Sequence, residues 1–145
     1  MAMKLNHIGL VFPKISDIAE IFRALGLTEL TPPEPDPIQG VSASFVPLGD
    51  GQDVYIELLE PIDDRSPVTQ FLKKRGGVLH HICFEVDDIE GVTEQLTKKG
   101  FSMVREPVEC VGYDRSFKRK CTQPSKIAFF LVPNKILIEF LQKGT

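Results

Sequence analysis

The sequence lacks a strong excess of charge of either sign. Its 17 basic and 20 acidic side chains leave a net charge of −3, and the two kinds are interspersed along the chain. Nucleic acids and anionic membrane surfaces usually bind to strongly basic patches. The balance therefore predicts no nucleic-acid partner and no membrane partner, and it favours a small-molecule ligand.

Cysteine is scarce and long apolar runs are missing. Cys83, Cys110 and Cys121 have neither the paired spacing of a zinc cluster nor the density of a disulfide-rich secreted domain, so a reducing cytoplasm is expected. No segment approaches the ~20 apolar residues of a membrane span, and the start of the chain does not resemble an export signal. With 145 residues, 42% of them hydrophobic, residues 1–145 are expected to form a single domain.

An internal repeat relates the two halves of the chain. Residues 5–27 match residues 79–101 without a gap, at an offset of 74 residues, which is the difference between positions 81 and 7. His7 is identical to His81 under this offset, and the apolar positions that surround the two histidines also match. Self-similarity of this kind predicts that each half forms the same structural unit.

Each copy of the repeat predicts a strand followed by a helix. Apolar runs of strand length cover 5–12 and 79–86, and apolar residues at helical spacing follow each run. Each helix is expected to begin at a small polar cap and to end at a glycine that suits the left-handed conformation. The predicted caps are Ser16 and Asp88, and the predicted final glycines are Gly26 and Gly100.

The remainder of each half is predicted to consist of strands joined by loops. The further strands are expected at 41–48, 54–59, 126–132 and 136–141, with a proline-rich loop at 31–37 and a longer loop at 106–124. Ser66 and Pro67 suit the start of a helix that connects the halves over about 66–76. The predicted fold class is α+β, with two tandem βαβββ modules at about 5–60 and 79–142.

Each half offers one histidine and one glutamate in an apolar strand. Side chains alternate between the two faces of a strand, so His81 is expected on the face opposite to His80. Glu57 and Glu139 interrupt the hydrophobic runs YIELL and LIEFL, where a carboxylate without a partner is costly to desolvate. If the halves pack with pseudo-twofold symmetry into a curved sheet, these glutamates meet both repeated histidines. The predicted metal ligands are therefore His7, Glu57, His81 and Glu139, which suit one Zn, Co, Mn, Ni or Fe(II) ion.

These residues resemble the vicinal oxygen chelate superfamily, which includes glyoxalases, bleomycin resistance proteins and dioxygenases, and within it the methylmalonyl-CoA epimerase-like branch. The matching segments are NHIGLV, QGVSASFVPLGD, IELLEPIDDRSPVTQFLKKRGG, LHHICFEVDDIEGV and ILIEFLQ. The resemblance implies an eight-stranded, cupped, mixed sheet and a homodimer. It places the family's metal ligands on the same four residues.

The chain departs from the epimerase-like pattern at two places. One type of epimerase has a glutamate two residues beyond the Gly-Val of the QGV segment, where this chain has Ala43. A His-Pro-Lys run followed by glycines is also replaced by Val132, Pro133, Asn134 and Lys135. The general base is therefore left open among three candidate carboxylates, which are Glu34, Asp36 and Glu139.

The substrate expected from the resemblance is a small anionic carbonyl compound, such as an acyl-CoA or a glutathione thioester. Cys83 is predicted to line the substrate site beside His81. A basic cluster is predicted either to bind the anionic groups of the substrate or to remain a solvated loop; its members are Arg115, Lys118, Arg119 and Lys120.

Three functions remain open from the sequence. The first is a metal-dependent isomerase or epimerase that moves a proton alpha to a metal-bound carbonyl, as the resemblance implies. The second is a glyoxalase-like lactoylglutathione lyase or a thiol transferase of the same superfamily. The third is a metal-free protein that sequesters a ligand and confers resistance, although the intact set of four ligands speaks against it.

Overall fold

The computed structural model describes residues 3–49, 54–131 and 136–145, and it contains eight strands and four helices in those ranges. The first half comprises β1 (Lys4–Val11), α1 (Ile15–Ala24), β2 (Glu34–Asp36), β3 (Val41–Leu48) and β4 (Val54–Pro61). The connecting helix is α2 (Pro67–Arg75). The second half comprises β5 (Val78–Glu85), α3 (Ile89–Lys98), β6 (Met103–Glu109), α4 (Val111–Ser116), β7 (Lys126–Leu131) and β8 (Leu137–Gln142).

All eight strands belong to one mixed sheet in the order β2-β3-β4-β1-β5-β8-β7-β6. β1 runs parallel to β4, and its equivalent β5 runs parallel to β8. The two halves join where β1 and β5 pair in antiparallel orientation at the centre of the sheet. The predicted α+β class and the eight-stranded mixed sheet of two βαβββ modules are therefore confirmed.

The two repeated helices begin in matching ways that depend on the strand closing each half. The Ile15 backbone N–H donates to Glu60 Oε2 at 2.8 Å, and the Ile89 N–H donates to Gln142 Oε1 at 2.8 Å. Asp88 also caps α3, as predicted, by accepting from the Gly91 N–H. The prediction of Ser16 as a cap is wrong, because α1 begins one residue earlier and Glu60, from β4, takes the acceptor's place.

Glycine ends the helices at the predicted positions. Gly26 and Gly100 follow α1 and α3 with φ angles of 89° and 87°, a left-handed conformation that only glycine adopts without strain. Gly76 ends α2 in the same way, at a φ of 72°. No helix in the described ranges has the length and apolar character that crossing a bilayer requires.

Three elements lie in segments that were predicted as loops. β2 occupies the proline-rich segment, and both β6 and α4 fall within or next to the predicted loop 106–124. These loop predictions are wrong. β2 has only three residues around Pro35, a residue that is tolerated in edge strands. Register shifts interrupt β6, so it is not a regular strand. Residues 132–135, which replace the His-Pro-Lys run, lie outside the described residues.

The sheet separates the core into clusters on its two faces. Ile15 and Ala19 of α1 pack with Val46 and Leu58 on one face, and α3 packs in the same way on the second half. Leu59, the neighbour of Leu58, belongs instead to a cluster on the other face. That opposite face is not covered by α1 or α3, and it is where the four predicted ligands lie.

Candidate metal centre

The four predicted ligands occupy the four central strands of the sheet. His7 and His81 lie on β1 and β5, while Glu57 and Glu139 lie on the parallel neighbours β4 and β8. All four are buried, with exposed fractions of 2% for His7, 1% for His81, 9% for Glu57 and 5% for Glu139. The fold therefore brings one histidine and one glutamate from each half to the middle of the same face.

The side-chain donor atoms of these residues converge on one point. The Nε2 atoms of His7 and His81 lie 3.0 Å apart. Glu57 Oε2 lies 3.0 Å from each of these nitrogens. Glu139 Oε1 lies 3.2 Å from His7 Nε2, and Glu139 Oε2 lies 3.8 Å from His81 Nε2.

This spacing fits a single bound cation. Nitrogen and oxygen ligands sit at about 2.1 Å from a divalent transition metal, so two ligands at a right angle lie about 3.0 Å apart. The ligand atoms of His7, Glu57 and His81 all lie within 4.8 Å of one another, close enough to share one ion. Without a shared ion, two imidazole nitrogens at 3.0 Å can avoid lone-pair repulsion only if one of them is protonated.

The electrostatics of the group also favour a positive charge at its centre. Burial lowers the pKa of His7, but the carboxylates of Glu57 and Glu139 outweigh burial and raise that pKa to about 10. Burial alone would raise the pKa of Glu57, but the two histidines hold it well below its usual range. The Glu57 carboxylate thus stays ionised beside the imidazoles. A divalent ion can take the place of the proton that His7 otherwise holds.

The prediction for His80 is wrong. Its side chain lies on the same face as that of His81, since the two Nδ1 atoms are 2.8 Å apart and both residues line one cavity. The alternation that placed it on the opposite face is interrupted by a register shift in the pairing of β1 with β5. Burial and the neighbouring His81 lower the pKa of His80 to about 4.

The four residues form the floor of a cavity of about 220 Å³. Its walls are mainly apolar and aromatic, with Phe45 and Phe129 in edge contact with His7 and His81, respectively. Glu34 and Asp36, two of the candidate bases, also line it. An apolar cavity with a few convergent polar groups is typical of a small-molecule site.

The two candidate bases differ in how their oxygens are used. Asp36 is buried, accepts the backbone N–H groups of Ile38 and Gln39, and accepts the thiol of Cys110 at 3.6 Å. Glu34 is half-buried, and among the described residues none donates a hydrogen bond to its carboxylate. The Glu34 carboxylate is therefore not engaged by the described residues, whereas Asp36 holds the loop after β2.

The predicted basic residues lie apart from the cavity. Arg115 and Lys118 are exposed and are not among the described residues that line it, while Arg119 pairs with Asp114 at 3.3 Å. The cationic side chain in the described lining is instead Arg105, on β6. Arg105 was not predicted from the sequence, because β6 itself was not recognised there.

Cys83 lies behind the ligands rather than in the cavity wall. It is fully buried on β5 opposite His7, and its sulfur lies close enough to His7 and Glu139 to form a second possible metal-binding group. Burial and the Glu139 carboxylate raise the pKa of its thiol. Gly9 holds the equivalent position beneath His81, where an added Cβ would collide with the imidazole ring.

The chain is similar to known proteins over most of its length. Residues 6–118 match the sequence profile of the glyoxalase/bleomycin resistance protein/dioxygenase superfamily. The chain is 33% identical over 110 residues to the mitochondrial methylmalonyl-CoA epimerase of Dictyostelium discoideum, which covers 75% of this chain and 64% of that relative. This chain thus spans less than two thirds of the length of that relative.

A bacterial relative and a solved structure extend the similarity. The ethylmalonyl-CoA/methylmalonyl-CoA epimerase of Cereibacter sphaeroides is 35% identical over 101 residues, 69% of this chain and 73% of that relative. A methylmalonyl-CoA epimerase from Streptomyces coelicolor, in complex with 2-nitronate-propionyl-CoA, superposes with a TM-score of 0.78 at 25% identity. That superposition covers 98% of each chain.

Proposed function

Because the chain belongs to the glyoxalase/bleomycin resistance protein/dioxygenase superfamily, we propose that it is a metal-dependent epimerase that moves a proton alpha to a carbonyl. The proposed substrate is methylmalonyl-CoA or a closely related carboxylated acyl-CoA. One observation carries the proposal: two histidines and two glutamates converge at the floor of a cavity in a chain that is 33% and 35% identical to two such epimerases.

We assign the metal to His7, Glu57, His81 and Glu139. Two neutral imidazoles and two carboxylates suit a borderline divalent ion, so Zn, Co, Mn, Ni and Fe(II) are all candidates. Such an ion supplies Lewis-acid stabilisation of the negative charge that develops on a carbonyl oxygen when the adjacent carbon loses a proton. Four protein ligands leave coordination positions for the substrate only if the ion accepts more than four ligands.

We assign the proton removal to Glu34. In one type of epimerase a glutamate stands at the position of Ala43, and β2 pairs with β3 so that Glu34 lies directly opposite Ala43. Directly opposed residues of an antiparallel pair point to the same face, with Cβ atoms about 5 Å apart. Glu34 therefore presents a carboxylate to the part of the cavity where Ala43 has none.

Inversion of a stereocentre needs a second proton-transfer group. If Glu34 removes the proton from one face of the alpha carbon, another group must return a proton to the opposite face. Glu139 is the best candidate once it is displaced from the ion and protonated, because it lies at the cavity floor on β8, in the other half of the molecule from Glu34. The two carboxylates would then exchange roles for the reverse reaction.

We assign anion recognition in the cavity to Arg105. None of the described carboxylates forms an ion pair with its guanidinium, so the side chain remains available to a substrate carboxylate or phosphate. Arg115 and Lys118 remain predictions as substrate contacts, whereas the predicted contact of Cys83 is not retained, because Cys83 is fully buried behind the ligands. The exposed Arg115 and Lys118 would serve only a part of the substrate that extends beyond the cavity.

Because the candidate ligands come from both halves, we also propose that residues 1–145 act as one functional unit. The homodimer implied by the resemblance remains a prediction, which light scattering coupled to size-exclusion chromatography would test. A cytoplasmic location also remains a prediction; it is compatible with the free thiols of Cys83, Cys110 and Cys121.

Deuterium exchange at the alpha carbon tests the proposed reaction. Metal-loaded protein is incubated with methylmalonyl-CoA in D₂O, and incorporation of one deuterium is followed by mass spectrometry. The same preparation is given the hemithioacetal of glutathione and methylglyoxal, the substrate class of the glyoxalase alternative. We expect exchange with the first compound only; turnover of the second compound alone would replace the epimerase assignment with a lyase.

A comparison of chelated and metal-loaded protein distinguishes the epimerase and lyase hypotheses from the metal-free alternative. We expect chelation to abolish deuterium exchange and re-addition of one equivalent of metal to restore it. A protein that binds a ligand equally well with and without metal, and that exchanges no deuterium, would instead be a sequestering protein.

A further inference from the structure

Each of the two candidate histidine ligands is preceded by a residue whose side chain turns back onto it. Asn6 Oδ1 lies 2.7 Å from His7 Nδ1. His80 Nδ1 lies 2.8 Å from His81 Nδ1. Asn6 and His80 are equivalent under the same 74-residue offset that relates His7 to His81. Different side chains therefore make the same contact at equivalent places in the two halves.

A pair of β-bulges makes these contacts possible. The pairing of β1 with β5 passes from Leu5↔Phe84 to His7↔Cys83, which leaves Asn6 without a partner in the register. It also passes from Gly9↔His81 to Leu10↔Leu79, which leaves His80 without one. A bulge allows two successive side chains to face the same side of a sheet, which a regular strand does not.

The hydrogen bonds around Asn6 fix which atom of His7 carries a proton. Asn6 Nδ2 is directed to the acceptors Tyr113 Oη and Glu85 Oε2, each at 3.4 Å. This arrangement leaves the amide oxygen Oδ1 facing His7, and an amide oxygen only accepts hydrogen bonds. His7 Nδ1 must therefore be the donor, and the Nε2 atom is the one that can present a lone pair.

The same logic applies to His81. If Nε2 of His81 is to face an ion with its lone pair, its Nδ1 must carry the proton and donate to an unprotonated His80 Nδ1. The His80 ring is held in place by edge contact with Phe71 of α2, at 5.0 Å between ring centroids. Each half thus supplies an acceptor behind its histidine, an amide oxygen in one case and an imidazole nitrogen in the other.

We propose that Asn6 and His80 are positioning residues of the metal centre, each holding the proton of the following histidine on Nδ1 so that Nε2 is directed at the ion. This inference rests on the metal site of the proposed function. Partners of this kind orient ligand imidazoles and raise their basicity, and their removal commonly lowers metal affinity about 10- to 100-fold.

The pseudo-symmetry of the chain supplies matched variants. Asn6→Leu and His80→Leu remove the acceptor. Asn6→His and His80→Asn instead place in each half the residue that the other half uses, and an asparagine oxygen can occupy the position of a histidine Nδ1. The affinity of each variant for Zn²⁺ is measured by competition with a chromophoric chelator. The imidazole N–H signals of His7 and His81 are followed in the zinc-loaded, ¹⁵N-histidine-labelled full-length protein.

We expect wild-type protein to show two slowly exchanging Nδ1–H signals, one for each histidine. Each Leu variant should lose the signal of the histidine that follows it and bind Zn²⁺ about 10- to 100-fold more weakly. Asn6→His and His80→Asn should retain the signals and bind Zn²⁺ within about threefold of wild type. A purely structural role for Asn6 and His80 would not produce this difference from the Leu variants.

Several outcomes would overturn the inference. Leu variants with unchanged zinc affinity and unchanged signals would remove it while leaving the metal site intact. The inference would also fail if Asn6→His and His80→Asn bound Zn²⁺ as weakly as the Leu variants do. If the Leu variants fail to fold, the N–H signals of the zinc-loaded wild-type protein still test the proposal. Zinc bound through Nδ1 instead of Nε2 would contradict it. Wild-type protein that binds no Zn²⁺ would remove the metal site as well, whereas zinc binding without deuterium exchange would remove only the epimerase.

Discussion

At the scale of single residues, the carboxylates of Glu34 and Asp36 differ in what surrounds them. Two backbone N–H groups and a thiol donate to Asp36, while no described residue donates to Glu34. A carboxylate whose oxygens already accept hydrogen bonds has fewer lone pairs left for a substrate proton. Proton exchange with a substrate is therefore expected at Glu34.

Glu34→Gln should abolish proton transfer without emptying the metal site. The change keeps the shape of the side chain and removes its basicity, so deuterium exchange should fall by about 10²- to 10⁴-fold. Metal content, measured by elemental analysis, should stay at one equivalent. Glu29→Gln is the matched control, because Glu29 is an exposed glutamate five positions earlier. Unchanged exchange in Glu34→Gln would remove this residue as the base.

Arg105 and Arg115 offer a direct comparison between a cation of the cavity and a cation of the surface. Hydrogen bonds to charged groups contribute about 1.5–3 kcal/mol, so Arg105→Leu should raise KM for methylmalonyl-CoA by about 10- to 100-fold. Arg115→Leu should change it little, because Arg115 is exposed outside the cavity lining. Steady-state kinetics on the two variants measures both effects. The opposite ranking would return anion recognition to the predicted basic cluster.

Much of the candidate centre was predictable from single residues, but the placement of His80 was not. His7, Glu57, His81 and Glu139 could be chosen because the repeat pairs the histidines and because each glutamate interrupts an apolar run. The placement of His80 failed because strand alternation assumes a regular strand, and bulges depend on how two strands pair. Pairing between β1 and β5 joins segments far apart in the sequence, so a local pattern does not reveal it.

At the scale of elements, the closing strand of each half also starts the helix of that half. Glu60 lies three residues after Glu57 and accepts from the first N–H of α1, and Gln142 lies three residues after Glu139 and accepts from the first N–H of α3. Each strand thus carries a candidate metal ligand on one face and a helix cap near its end. This link between site and helix was not visible in the sequence, from which Ser16 was predicted to cap α1.

Removing these acceptors should destabilise the fold by a modest and similar amount in each half. Glu60→Ala and Gln142→Ala each leave one helix N–H without its partner, which typically costs about 0.5–2 kcal/mol. Chemical denaturation of metal-free protein measures the free energy of unfolding. Gln95→Ala is the control, since Gln95 is exposed on α3 and the change should have almost no effect. A loss equal to that of the control would show that these caps contribute nothing.

The elements that were predicted and those that were missed differ in length and regularity. β1, β3, β4 and β5 each have eight residues with clear apolar runs. β2 has three residues and α4 has six, too few for a periodic pattern to be distinguished from a loop. The edges of the sheet were therefore the least predictable part, and they carry Glu34 and Arg105.

At the scale of the whole molecule, the central site places two buried carboxylates where the two halves meet. In the metal-free protein the raised pKa of His7, about 10 against an ordinary 6.5, means that folding retains a proton at this junction. The stability that this proton contributes is fully present below pH 6.5 and is lost as the pH rises through about 10. The raised pKa values of the Cys83 and Cys110 thiols act in the same direction at the alkaline end, because only the unfolded chain ionises them there.

Chelated protein should therefore lose stability between pH 7 and pH 10, on the order of a few kcal/mol. Denaturant titrations at each pH, with and without one equivalent of Zn²⁺, measure the change. In the loaded protein the ion replaces the proton, so metal binding should become tighter as the pH rises and the loaded protein should be stabilised most at the alkaline end. His7→Asn removes the titrating group, so its chelated form should lose less stability over this range. A chelated wild-type protein whose stability stays constant from pH 7 to pH 10 would mean that the two glutamates do not hold a cation at the junction, and the electrostatic argument for the metal would fail with it.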